Sequence, residues 1–172
     1  MKLKLFIRKV KSFILNIDNK TKLSIVKAII YSGIARIYIF YLPFNKLRKK
    51  MGNVKIESDE IVERDVEIIA KGVTSIVSLV AYKTPWESKC LVQALTAQWM
   101  LRDKGISTTL YLGVKKDSNN NMLAHAWTRC GQYYVTGGGN KEGYAIVAKF
   151  TSVVAKSNKE EFIEEKKLSR QN

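Results

Sequence analysis

The chain has 172 residues and carries 30 Lys+Arg against 15 Asp+Glu, a net charge of +15. That length suits one compact domain, and the 46% hydrophobic content is enough to bury a core. With only Cys90, Cys130 and the single histidine His125, a four-ligand Cys/His zinc finger is excluded, and any imidazole chemistry must use His125.

The elements fall in a clear order. Residues 1–50 hold 13 lysines and arginines against Asp18 alone, so the basic character is concentrated there. This stretch reads as a basic helical annex spanning 1–53, broken at Pro43, with a linker over 46–53. Its apolar run, residues 23–42, is interrupted by Lys27 and Arg36. Two charges in lipid make a spanning helix costly, so we expect a soluble or surface-lying helix and a cytoplasmic protein; docking of an acidic partner or of an anionic membrane surface is open to the basic stretch, with a membrane the less favoured. The N-terminus has no uncharged signal-like core. No nucleic-acid-binding signature accompanies the charge, so a nucleic-acid partner is not expected.

Ser58 reads as the N-cap of the next helix, with Asp59 and Glu60 at its positive end. Val62, Val66, Ile69, Val73, Ile76, Val77 and Val80 form its helical stripe. Residues 87–104 predict a buried helix, apolar nearly all round and stopped by Gly105. The period then changes to alternation. Strands are predicted over 108–114, 123–129, 132–136 and 144–150, as an antiparallel meander. The pattern is an α+β fold: a core over 54–155 with a central helix packed on an antiparallel sheet, and a charged tail over 156–172.

Cys90 falls in the first turn of the buried helix. Free N–H groups and the helix dipole there favour a thiolate, and the same groups can hold an oxyanion. His125 sits on the second predicted strand, where an imidazole can serve as general base and then as acid. Cys90, His125 and Cys130 could instead ligate a catalytic zinc. However, His125 and Cys130 are five apart and face opposite sides of a regular strand, so no metal site is expected. A third group should orient the imidazole. The following strand, Gln132–Thr136, offers no carboxylate. Thr136, a backbone carbonyl, or Asn140 from a folded-back glycine loop are the options, and Thr136 is the side chain named for the role.

The segments Thr84-Pro85-Trp86-Glu87-Ser88-Lys89-Cys90, Leu101-Arg102-Asp103-Lys104-Gly105-Ile106, Ala124-His125-Ala126-Trp127 and Val135-Thr136-Gly137-Gly138 resemble the leader peptidases of lasso-peptide biosynthesis. The resemblance extends over about residues 58–150 and implies a papain-like, transglutaminase-like cysteine-protease core. It implies Cys90 as nucleophile and His125 as acid/base, with no cofactor. Such enzymes cut the leader from a ribosomally made precursor peptide and free an α-amine that a macrolactam cyclase then joins to an acidic side chain. The partners implied are the precursor, a separate leader-recognition protein and the cyclase. Basic residues such as Lys46, Lys49 and Lys50 are then candidates for docking. Family members often carry an Asp after His-Ala-Trp, and this chain does not. The rival reading is a weak or inactive transglutaminase-like module that binds peptide without cutting it.

Overall fold

The computed structural model describes residues 18–154 except residue 55. The expectations for 1–17 and for the tail over 156–172 lie outside the described residues. Among the described residues four helices precede a four-stranded antiparallel sheet, so the α+β architecture with a central helix on a sheet is present. The helices are α1 (Asn19–Tyr41), α2 (Phe44–Met51), α3 (Arg64–Lys83) and α4 (Cys90–Arg102). The strands are β1 (Thr108–Lys116), β2 (Met122–Cys130), β3 (Tyr133–Thr136) and β4 (Ala145–Ser152), with a short 3-10 turn at Gly138–Asn140.

α4 is the centre. Every residue from Ala94 to Leu101 is buried, and neighbours enclose the helix on all sides. Its C-terminus closes in a Schellman turn. Ile106 N–H donates to Leu101 O and Gly105 N–H to Arg102 O, with Gly105 at φ +75°. Beneath α4 lie Leu110, Ala126, Cys130, Val135 and Phe150 of the sheet. Above it lie α1 and α3.

α1 is no separate annex. Ala28 and Ala35, both fully buried, let its backbone approach α4 closely, and each belongs to a core cluster shared with that helix. Trp99 of α4 is flanked edge-on by Tyr31 at 5.8 Å and Tyr38 at 6.1 Å, and its Nε1 donates to Lys50 O of α2. Tyr31 and Lys27 both donate to Asp103 beyond the far end of α4. A domain boundary at residue 53 would therefore cut through the core.

Three local expectations are corrected. The stretch read as a linker is α2, because Leu47 and Met51, four apart, bury a common face and leave the basic residues outward. The helix expected from Ser58 begins at Arg64. Ser58 is buried instead, its N–H donating to Thr109 Oγ1 and its hydroxyl sharing that oxygen. The sheet order is β3-β2-β1-β4, so β4 crosses over to pair with β1 and the strands are no simple meander.

The two faces of the sheet do different work. Leu110, Leu112, Ala126 and Thr128 lie opposite one another in register and face α4. Thr109, Tyr111, Gly113, His125, Trp127 and Arg129 share the other face. There Arg129, nearly fully buried, donates to Tyr111 Oη, Gly131 O, Ser58 O and Glu57. Those bonds fasten residues 57–59 across the sheet, which is why Ser58 is not free to cap a helix.

Candidate active site

Cys90 is the first residue of α4, and no side chain caps that helix start. The N-cap, Lys89, has extended backbone angles and no acceptor to offer. The first-turn N–H groups are thus left for an anion beside the half-buried Cys90 sulfur. The loop leading to Cys90 is tied to α1. Ser88 Oγ lies 2.9 Å from Ser32 Oγ, and Trp86 Nε1 donates to the same hydroxyl at 2.9 Å. The Trp86 ring lies over Gly33, and Arg36 pairs with Glu87 at 3.6 Å. Trp86 therefore packs on α1. Gln93 Nε2 donates to Ser88 O at 2.7 Å and closes the loop from the helix side.

β2 passes beside this helix. Thr128 Oγ1 donates to Ala94 O, one turn after Cys90, and Cys90 packs into the cluster that holds Ala126, the neighbour of His125. Cys90 therefore packs on the face of β2 that carries Ala126 and Thr128, whereas His125 projects from the opposite face. Among the described residues no hydrogen bond joins Sγ to the imidazole. The His125 side chain shares its sheet face with Trp127. The structure does not bring the two side chains together on one face of the sheet.

The imidazole is held on three sides. Trp127 lies at 5.7 Å between centroids and Tyr144 at 5.3 Å, while Trp127 in turn stacks on Tyr111 at 5.6 Å. The space comes from Gly113, directly opposite His125. A Cβ there would meet the Trp127 ring at 2.7 Å and Tyr144 Cβ at 3.0 Å. The third contact is polar: His125 Nε2 lies 2.8 Å from Gly137 O. A carbonyl can only accept, so Nε2 carries the proton and Nδ1 keeps its lone pair. That leaves Nδ1 as the basic nitrogen available to a thiol.

Thr136, the side chain expected to orient the ring, does not do so here. Its Oγ1 is buried without a hydrogen-bond partner among the described residues, and the contact comes from the carbonyl one residue on. Asn140 lies exposed in the 3-10 turn. Gly137 is suited to the task because it adopts φ +69° and approaches β2 closely. A Cβ on it would come 2.5 Å from Ala126 O and 3.1 Å from His125 Nε2. The run of three glycines after a strand was the available signal for this. Nothing in the pattern marked Tyr144 or Ser32.

Cys130 faces the core, fully buried, and burial pushes its thiol up to about 11, so it stays protonated at neutral pH. It lies on the sheet face opposite His125. Among the described residues no group of three His, Cys, Asp or Glu side chains is placed to hold a metal ion.

The family model of the transglutaminase-like superfamily matches residues 35–149, well over half of the chain. This chain belongs to the transglutaminase-like superfamily. The matched span contains Cys90, His125 and Gly137. It opens inside α1, in agreement with that helix being part of the transglutaminase-like core. The superfamily consists in general of enzymes of the cysteine-protease type, with a peptidase or peptide-binding role. No curated protein and no solved structure gives a match.

Proposed function

We propose that this protein is a cysteine peptidase that removes the leader from a ribosomally synthesised precursor peptide of the lasso type, before macrolactam formation. The observation that carries the reading is the tautomer of His125. Gly137 O on Nε2 leaves Nδ1 as the basic nitrogen of the neutral ring, on β2, the strand against whose other face α4 and its uncapped Cys90 start are packed. The motif resemblance supplies the substrate class.

In this reaction Nδ1 takes the proton from Sγ. The thiolate adds to the scissile carbonyl, and the oxyanion is held by first-turn N–H groups of α4. Collapse breaks the C–N bond as Nδ1–H protonates the departing amine, which is the new N-terminus of the core peptide. Water, deprotonated by Nδ1, then attacks the thioester and regenerates the thiol. An amine in place of water would give acyl transfer through the same thioester. The leader is presented by a separate recognition protein, and the cyclase consumes the freed α-amine.

A second reading has one observation in its favour. His125 projects from the face of β2 opposite the one Cys90 packs on, with no hydrogen bond between them among the described residues, and a chain that holds peptide without cutting it needs none. Intact-mass analysis of a precursor peptide, incubated with this protein and the recognition protein, decides between them. Loss of a leader-sized mass with wild type but not with Cys90→Ala is the expected result. Peptide bound but intact with both proteins would favour the binding module. Cleavage by both would remove Cys90 from the mechanism.

A further inference from the structure

α1 is apolar nearly all round, yet the fold buries only one side of it. Ala28, Ser32 and Ala35 face the core. Leu23, Val26, Ile30, Ile37, Phe40 and Tyr41 are each half or more exposed. At about 100° per residue these six fall within an arc of about 100°, opposite the buried side. They form a convex ridge about 27 Å long. A helix apolar on both sides needs a second apolar environment for its outer face.

α1 is also the one helix among the described residues that is long and apolar enough to cross a membrane. It does not cross one in this fold. Its inner face belongs to both core clusters, and Lys27 and Arg36 are paired with Asp103 and Glu87 of the body. A spanning orientation would pull it out of the core. Lying in the plane of an interface keeps every one of those contacts.

Charge selects the occupant. From Asn19 to Met51 the chain holds eight lysines and arginines and no acid. Lys46, Arg48 and Lys49 of α2 are exposed, follow directly on Phe40, Tyr41 and Phe44, and are in no ion pair among the described residues. An apolar ridge ending in aromatic side chains beside a basic cluster is the arrangement that an anionic lipid surface accepts. The aliphatic side chains enter the acyl boundary, aromatic rings sit at headgroup depth, and the cations meet lipid phosphates. The groove beside the ridge is lined by Tyr31, Tyr38, Lys49 and Lys50, phenolic and cationic groups that suit lipid headgroups next to an apolar ridge.

We infer that the outer face of α1, with the basic start of α2, is a docking surface for an anionic membrane, on which the protein lies peripherally. The sequence alone made a membrane a poor partner, because it could not show which side of α1 the core leaves open.

The test is vesicle flotation of the full chain. Phosphatidylglycerol-containing vesicles should carry wild type upward. Pure phosphatidylcholine vesicles, or high salt, should reduce the floated fraction about tenfold. A Val26→Ser/Ile30→Ser/Ile37→Ser variant changes only half-exposed side chains. It should fail to float while keeping the wild-type melting midpoint. Three outcomes overturn the proposal. The first is wild type staying at the bottom with anionic vesicles. The second is the serine variant floating as well as wild type, which would give the binding to the basic residues alone. The third is concentration-dependent self-association of wild type that the serine variant abolishes, with no flotation, which would make the ridge an interface between copies.

Discussion

Gly137 meets two demands at once. Its φ of +69° lies in the left-handed region that side chains with a Cβ adopt only with strain, and its Cα stands where a Cβ would strike both β2 and the imidazole. Gly137→Ala should therefore displace the carbonyl that fixes Nε2. A shift of about 1 Å in a catalytic group costs roughly 100-fold in rate, so single-turnover cleavage should fall by about that factor. The stability loss should be about 1–3 kcal/mol. Thr136→Val is the companion measurement. It removes a buried hydroxyl that has no partner, so the denaturation midpoint should hold or rise and cleavage should change by no more than about threefold. If Thr136→Val abolished cleavage while Gly137→Ala did not, the orienting role would return to Thr136. Which of the two residues orients the ring was not legible from sequence. Thr136 ends β3 and Gly137 follows it, and only the φ of Gly137 decides which atom turns toward His125.

At the scale of elements, alternation and apolar content were sufficient to find β1 to β4 and α4, although burial runs by strand end, with β1 covered in its first half and β2 and β4 in their last. The pairing partner of β4 was not readable. Alternation fixes a face but names no neighbour, and the crossover to β1 is a property of the whole sheet. Ser58 misled for a related reason: a good capping residue is equally good at bonding a buried threonine, and Arg129 holds its segment against the sheet. That strap makes a pH prediction. Glu57 accepts from Lys149, Tyr111 and Arg129, and these contacts hold its carboxyl at about 2, below the ordinary 4.5. A depressed carboxyl contributes stability that is fully present above pH 4.5 and is lost as pH falls toward 2. Because the Glu57 side chain is 38% exposed, solvent screens the effect, and the expected contribution is about 1 kcal/mol. Denaturant midpoints of wild type and Glu57→Gln should therefore differ at pH 6 and converge toward pH 2. A constant difference across that range would mean that the strap is held without the Glu57 charge.

For the whole molecule, the composition shift at residue 53 marks a change of charge with no break in packing. α1 and α2 place Ala28, Tyr31, Ala35, Leu47 and Met51 against α3, α4 and the sheet. Removing both helices would uncover Leu95, Trp99, Met100 and Leu101 on the central helix. A fully buried side chain of this size contributes about 1.5–3 kcal/mol, and a domain's whole stability is about 5–15 kcal/mol. Four such exposures amount to about 6–12 kcal/mol, which, with the lost ties from Tyr31 to Asp103 and from Trp99 to Lys50, is comparable with the whole stability of a domain. The loop before Cys90 would also lose Ser32, Gly33 and Arg36, the three residues of α1 that hold it. A fragment spanning 54–154 should therefore show no cooperative melting transition and no near-ultraviolet signal from Trp86, Trp99 and Trp127. A cooperative transition in that fragment within about 5 °C of the full chain, a shift worth only about 1 kcal/mol for a domain of this size, would show that the sheet and α4 form a core without α1. α1 is in this view a helix with two surfaces. The inner one completes the core and fixes the approach to Cys90, and the outer one is left for a partner that the fold does not contain.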